Sequence, residues 1–127
     1  MIVTAPASSA NLGPGFDCLA IALDVPFHLA VTAAPPSSGD PDDARYHLAE
    51  PTHPTGVAFR EAGGDPSQSL WWSSPIPPGR GMGFSGAARV AGAYAAGIAD
   101  GLDHATARAG AHRVATQLET HPDNSAA

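Results

Sequence analysis

The chain has 127 residues, 43% of them hydrophobic, and its 12 acidic residues against 6 arginines and no lysine give a formal charge of −6. That length suits one domain of about 100–150 residues with a single core, and the acidic balance argues against a nucleic-acid footprint or attraction to anionic membranes. One cysteine excludes an intramolecular disulfide, no apolar run approaches the ~20 residues of a membrane span, and the Met-Ile-Val-Thr start lacks signal-peptide character, so a cytoplasmic location is expected.

Ile2 to Ala5 reads as a short apolar strand closed by Pro6, followed by a small polar loop from Ser8 to Gly15. Cys18 reads as a small buried residue rather than a nucleophile, because no activating base stands near it. Leu19 to Leu23 and Phe27 to Thr32 are expected as two strands separated by a turn at Asp24-Val25-Pro26. Ala33 to Asp43, rich in Pro, Ser, Gly and Asp, is a surface loop, and Arg45 to Leu48 a short edge strand. Pro54 to Ala62 is expected as a helix with Thr52 as cap and Gly63-Gly64 as its stop.

Leu70 to Ser74 reads as a strand that Pro75, Pro77 and Pro78 cut off. Adjacent strand residues point to opposite faces, so Trp71 and Trp72 cannot both stack on one adenine, and one of them is expected in the core. Gly83 to Asp100 carries many alanines around Val90, Tyr94 and Ile98, which suits a buried helix lying close to a sheet. Asp103 is placed to cap a second helix through Leu118, with Ala107, Ala111, Val114, Ala115 and Leu118 at helical spacing. That helix delivers Glu119 and His121 at its end, beside the preceding glycine loop if the two helices pair antiparallel. The remaining histidines, His28, His47, His53, His104 and His112, show no metal-ligand spacing.

The stretch from Pro75 to Ala88 carries the most chemistry. Gly79, Gly81 and Gly83 run directly into the alanine-rich helix; such glycines accept positive φ and let backbone amides approach an anion, while the helix start adds unpaired N–H groups and a positive dipole end. A phosphate-bearing ligand is therefore expected. Without a lysine the loop is not a Walker A motif. Gly81 to Gly86 satisfies G-x-G-x-x-G, but the strand that a dinucleotide fold needs next is replaced by a second helix.

Two further stretches, Pro6-Ala-Ser-Ser-Ala-Asn-Leu-Gly-Pro-Gly-Phe-Asp17 and Glu119-Thr-His-Pro-Asp-Asn124, join this loop in a pattern that resembles the homoserine kinases of the GHMP small-molecule kinase superfamily. The first is close to P-x-S-S-A-N-L-G-x-G-F-D, the loop to P-x-x-x-G-L-G-S-S-A-A, and the last to E-G-H-P-D-N. The sequence departs from these patterns at Phe84, Gly86 and Thr120, and just after the last of them Ser125 replaces an apolar residue. The resemblance covers the amino-terminal half of such an enzyme and implies an α/β (α+β) domain of the ribosomal protein S5 domain 2-like fold, a mixed sheet packed with helices. Residues 1–127 would form the ATP-binding domain, with the carboxyl-terminal GHMP domain absent.

By this resemblance the reaction is ATP-dependent phosphorylation of the L-homoserine hydroxyl, giving O-phospho-L-homoserine in threonine biosynthesis. Pro77, Pro78, Gly79, Arg80, Gly81, Met82, Gly83, Phe84, Ser85 and Gly86 would surround the ATP phosphates, and Ser85 and Glu119 would hold Mg²⁺, which favours oxygen ligands. Asn11, Asp17, His121 and Asn124 would bind the acceptor, with His121 and Asn124 at the reacting hydroxyl. Asp123 is a candidate base, but a loose phosphoryl transition state is served mainly by alignment and charge. Another GHMP small-molecule kinase and a non-catalytic ATP-binding module remain alternatives, and a homodimer is a further expectation.

Overall fold

The computed structural model describes residues 1–12, 14, 18–37, 45–119 and 123–126, the side chain of Asp123 excepted. Among these residues the strands are β1 (Ile2–Ala10), β2 (Ala20–Val31), β3 (His47–Leu48) and β4 (Leu70–Ser73), and the helices are α1 (Pro54–Glu61), α2 (Phe84–Ala99), α3 (His104–Glu119) and α4 (Asp123–Ala126). The strands form one sheet in the order β1-β2-β4-β3. Helices pack on a sheet as expected, but every pairing among the described residues is antiparallel rather than mixed. No described helix is long and apolar enough to cross a membrane.

Two prolines expected to interrupt strands do not. Pro6 lies inside β1, which runs on to Ala10, and Asp24-Val25-Pro26 lies inside a continuous β2. Met1 and Val31 exchange both backbone hydrogen bonds, at 3.4 and 2.9 Å. By the alternation of an antiparallel ladder, Val3 and Ala5 then direct their amides at β2, while Ile2, Thr4 and Pro6 face away. Pro6 thus removes no donor that β2 uses, the condition under which an edge strand tolerates proline. Pro26 pairs with Pro6 and Leu23 with Ala7, so Asp24 and Val25 form a bulge and the strand continues.

The core lies between the sheet and α2. Val3, Ala5 and Ala7 of β1 and Phe27 and Leu29 of β2 meet Ala87, Ala88, Ala91 and Ala95 of α2, with Phe59 of α1 closing one side. On its other flank Ala93 of α2 packs with Ala58 of α1 and Ala111 of α3. The small residues let helix backbones come close: a Cβ on Gly92 would lie 2.3 Å from the Thr55 carbonyl oxygen.

Caps fix where the helices begin. Asp103 Oδ1 accepts from the amides of Ala105 and Thr106 at 2.9 and 3.1 Å, as its position suggested, and hydrogen bonds from the Thr106 hydroxyl and amide hold its carboxyl below the usual range. At α1 the cap is His53, not Thr52; its Nδ1 accepts the Thr55 amide at 3.3 Å. The Gly63-Gly64 stop is found, with their amides donating to the carbonyls of Arg60 and Phe59 at 2.9 Å each. Cys18 is exposed rather than buried, because it lies in the turn before β2, outside the sheet. The expected edge strand narrows to His47–Leu48, Ser8 to Ala10 of the expected loop belong to β1, and residues 38–43 of the surface loop lie outside the described residues.

Candidate functional site

The connection from β4 to α2 is anchored by Ile76, 2% exposed, and then opens to solvent from Pro78 to Gly81. Gly79, Gly81 and Gly83 have φ of 70, 71 and 67°, the left-handed region that side chains resist. Gly83 is the N-cap of α2 and brings no capping side chain, so among the described residues the amides of Phe84, Ser85 and Gly86 have no acceptor. Three donors and the positive end of a 16-residue helix therefore face the open loop.

Four segments distant in sequence meet at this helix start. The Ser8 amide donates to the Met82 carbonyl at 3.2 Å, fastening the loop to β1. The Ser8 hydroxyl, 2% exposed as a residue, donates to Oδ1 of Asn124 at 2.9 Å and so joins β1 to α4. On α2, Ser85 and Arg89 are four residues apart and share a face. Both reach the last residue of α3: Ser85 Oγ donates to Glu119 Oε1 at 2.8 Å, and Arg89 Nη1 to the same oxygen at 2.7 Å. The side chains of Arg89 and Glu119 are 23% and 10% exposed, so the pair is held largely out of water.

A carboxylate at the end of α3 opposes that helix's own dipole; here it is turned toward the start of α2, where the sign is favourable. Its environment decides what the site can hold. Ser85 and Glu119 bring a hydroxyl and a carboxylate together, the hard oxygen donors that suit Mg²⁺, and Arg89 shares the carboxylate. Gly86 keeps the approach narrow, since a Cβ there would stand 3.3 Å from Glu119 Oε2 and 3.1 Å from the Asn124 Cβ.

Of the expected site residues, Gly83, Ser85, Gly86, Glu119 and Asn124 come together, and Met82 joins them through its carbonyl. Phe84 belongs to the same turn, but its ring points into a cluster with Phe27, His53 and Trp72, at centroid distances of 5.6, 6.0 and 5.5 Å, which leaves its backbone amide as the group at the loop. Arg80 sits exposed at the loop tip. Asn11 adopts φ 59° and its amide donates to the Leu19 carbonyl at 3.0 Å, closing the connection between β1 and β2. Asp17, His121 and the side chain of Asp123 lie outside the described residues.

Trp72 is the core tryptophan, stacked on Phe27 at 5.9 Å and His53 at 4.9 Å, while Trp71 donates from Nε1 to the Thr32 carbonyl at 3.2 Å. Two contributors were not singled out from sequence, Ser8 and Arg89. For Ser8, the alternation of Val3, Ala5 and Ala7 continued past Pro6 would have carried the strand to it; for Arg89, its place one turn after Ser85 is the signal.

No protein-family model matches the chain. It is 38% identical over 128 residues to a homoserine kinase of Lactiplantibacillus plantarum, covering 98% of this chain and 43% of that protein. Against a homoserine kinase of Clavibacter michiganensis the identity is 41% over 134 residues, covering 96% and 42%. Among solved structures, a Listeria monocytogenes protein assigned as a homoserine kinase superposes with a TM-score of 0.72 at 31% identity, covering 98% of this chain and 45% of the other. A homoserine kinase of Cytophaga hutchinsonii shares the fold, with a TM-score of 0.63 at 24% identity. The chain spans a little under half the length of the relatives it matches. In sequence and in fold, the chain is similar to homoserine kinases.

Proposed function

We propose that this chain is the ATP-binding, amino-terminal domain of a homoserine kinase, residues 1–127 forming that unit, and that it serves Mg²⁺-dependent transfer of the ATP γ-phosphoryl group to the hydroxyl of L-homoserine. The observation that carries this reading is the convergence of Ser8, Gly83, Ser85, Glu119 and Asn124 on the start of α2. Backbone amides of the glycine loop and of the first turn of α2 would bind the phosphates, a role that needs no lysine. Glu119 beside that turn would repel a polyphosphate unless a cation stood between them, which supports Ser85 and Glu119 as the residues holding Mg²⁺. When bound, the ion supplies charge neutralisation for the transferring group.

Pro77, Pro78, Gly79, Arg80, Gly81, Met82, Phe84 and Gly86 complete the ATP-binding set in this proposal. Asn124, oriented by the Ser8 hydroxyl, would meet the acceptor together with Asn11, Asp17 and His121. A small-molecule acceptor and a cytoplasmic location are part of the same reading. ADP release measured with Mg-ATP and L-homoserine, beside a panel of other small alcohols, tests it. Stimulation by L-homoserine alone is the expected outcome, and stimulation only by other acceptors would favour a different GHMP kinase.

A further inference from the structure

Arg89 is the charged residue near the start of α2 to which the proposed chemistry gives no task. A helical side chain leans over the turn before its own Cα, so Arg89 reaches back across Ser85, and its Nη1 meets Glu119 Oε1 at 2.7 Å. Ser85 Oγ donates to the same oxygen at 2.8 Å. The carboxylate proposed to hold the ion is thus already held, from one face of one helix, by a hydroxyl and a guanidinium.

Two observations set this pair apart from an ordinary surface contact. The side chains of Arg89 and Glu119 are 23% and 10% exposed, so solvent screens their charges only in part. Among the described residues, moreover, no group of three or more His, Cys, Asp or Glu side chains could hold a metal ion, so the acidic surplus that draws in a bare cation is not assembled there. A free divalent ion approaching Glu119 meets a neutral ion pair, and the fixed positive charge of the guanidinium works against it. An ATP polyphosphate reverses that balance. Held by the amides at the start of α2, its negative charge gives the guanidinium and the metal ion a partner each.

We propose that Arg89 is a positioning residue that holds the place of the metal: it neutralises Glu119 until the phosphates arrive, so that the divalent ion enters with the nucleotide, as Mg-ATP, and not alone. This rests on the reading of Ser85 and Glu119 as the metal-holding residues, and adds to it the order of loading. Arg89 acts through Glu119, and its charge, not its shape, sets that order.

The test follows the metal directly, by titrating the chain with Mn²⁺ in the absence of nucleotide, since Mn²⁺ takes the same oxygen ligands as Mg²⁺. Paramagnetic broadening of the Ser85 and Gly86 amides in NMR spectra reports occupancy at this turn and not at other acidic side chains. Arg89→Gln keeps a donor for Glu119 but loses the charge. Its half-broadening concentration should lie at least about tenfold below that of the wild type, a charge effect expected even at the dielectric of water. Arg89→Lys keeps the charge and should stay nearer the wild type, and adding Glu119→Gln to Arg89→Gln should cancel the gain. Equal concentrations for the wild type and Arg89→Gln, or Arg89→Lys matching Arg89→Gln, would overturn the proposal. If Arg89→Gln does not fold, the wild type alone decides: broadening at the same Mn²⁺ concentration with and without ATP would count against it, and broadening at a much lower concentration with ATP would support it. Ser85 and Gly86 amides that stay sharp with Mn²⁺ and ATP together would remove the metal-site reading itself, and this proposal with it.

Discussion

The two ends of one contact surface on α2 use small residues for opposite purposes. In the middle of the helix, Gly92 lets the backbone of α1 approach until the Thr55 carbonyl oxygen fills the space a Cβ would need, and alanines on either side pack dry. At the first turn, Gly83 and Gly86 admit polar groups instead: the Ser8 hydroxyl, the Asn124 amide and the Glu119 carboxylate. The same residue type is thus structural where its neighbour is backbone, and part of a site where its neighbours are donors and acceptors. Composition does not separate these uses; the partner supplied by another segment does.

The sharpest way to break the packed half is Gly92→Ala. A Cβ 2.3 Å from a backbone oxygen cannot be relieved by a side-chain rotation, so α1 must move, and we expect a loss of about 3 kcal/mol, at the upper end for overpacking, in denaturant unfolding. Gly83→Ala attacks the other half. It forces a side chain into φ 67° and against Ser8 Oγ, which should remove about 1–2 kcal/mol of stability through left-handed strain. Its greater effect should appear as weaker Mg-ATP binding by at least about tenfold, ~1.4 kcal/mol, in calorimetry. Gly92→Ala, in its folded fraction, should bind Mg-ATP normally; equal losses of binding in both variants would erase the distinction between the two halves.

The first-turn network offers a finer test. Glu119→Gln keeps an acceptor for Ser85 and Arg89 but loses the charge, so the expected loss in stability is about 1 kcal/mol. If Ser85 and Glu119 hold Mg²⁺, the gap between Mg-ATP and metal-free ATP affinity should collapse in this variant, while metal-free ATP binds no worse. A preserved gap would remove Glu119 from the metal site.

How much of this could be read from the residues depends on whether the signal is local. The Asp103 cap, the Gly63-Gly64 stop, the α2 and α3 helices and the meeting of Ser85 with Glu119 all follow from spacing within a segment or from antiparallel pairing of successive helices. The continuous β1 and β2 did not, because a proline's effect depends on whether its nitrogen faces a partner strand, and that is set by register. Cys18 was misread for a related reason: small apolar character fits a core, but the turn before β2 places it outside one. Phe84 looked like a loop residue by alignment, yet three aromatic neighbours from β2, β4 and the α1 cap turn its ring inward. Asn11, expected among the acceptor-binding residues, stands in the left-handed region at φ 59°, which an asparagine tolerates.

The smallest expected effect lies at the His53 cap, where pH probes the packed half without touching the glycine loop. The ring accepts the Thr55 amide through Nδ1, so Nδ1 must be unprotonated, and Nε2 is buried with no hydrogen-bond partner among the described residues. Burial lowers its pKa from 6.5, favouring the neutral ring stacked on Trp72 at 4.9 Å. The unfolded chain then binds more protons than the folded one wherever pH lies below 6.5 and above the lowered folded value. Stability should be fully present above pH 6.5, decline as pH falls through that interval, and flatten once the folded ring also protonates. His53→Asn keeps a capping side chain that does not titrate, so the melting temperature of the wild-type chain minus that of the variant should fall on acidification across this window. A difference that stays constant would mean that the ring protonates without leaving its cap, and that α1 is held by its seam with α2 rather than by its first turn.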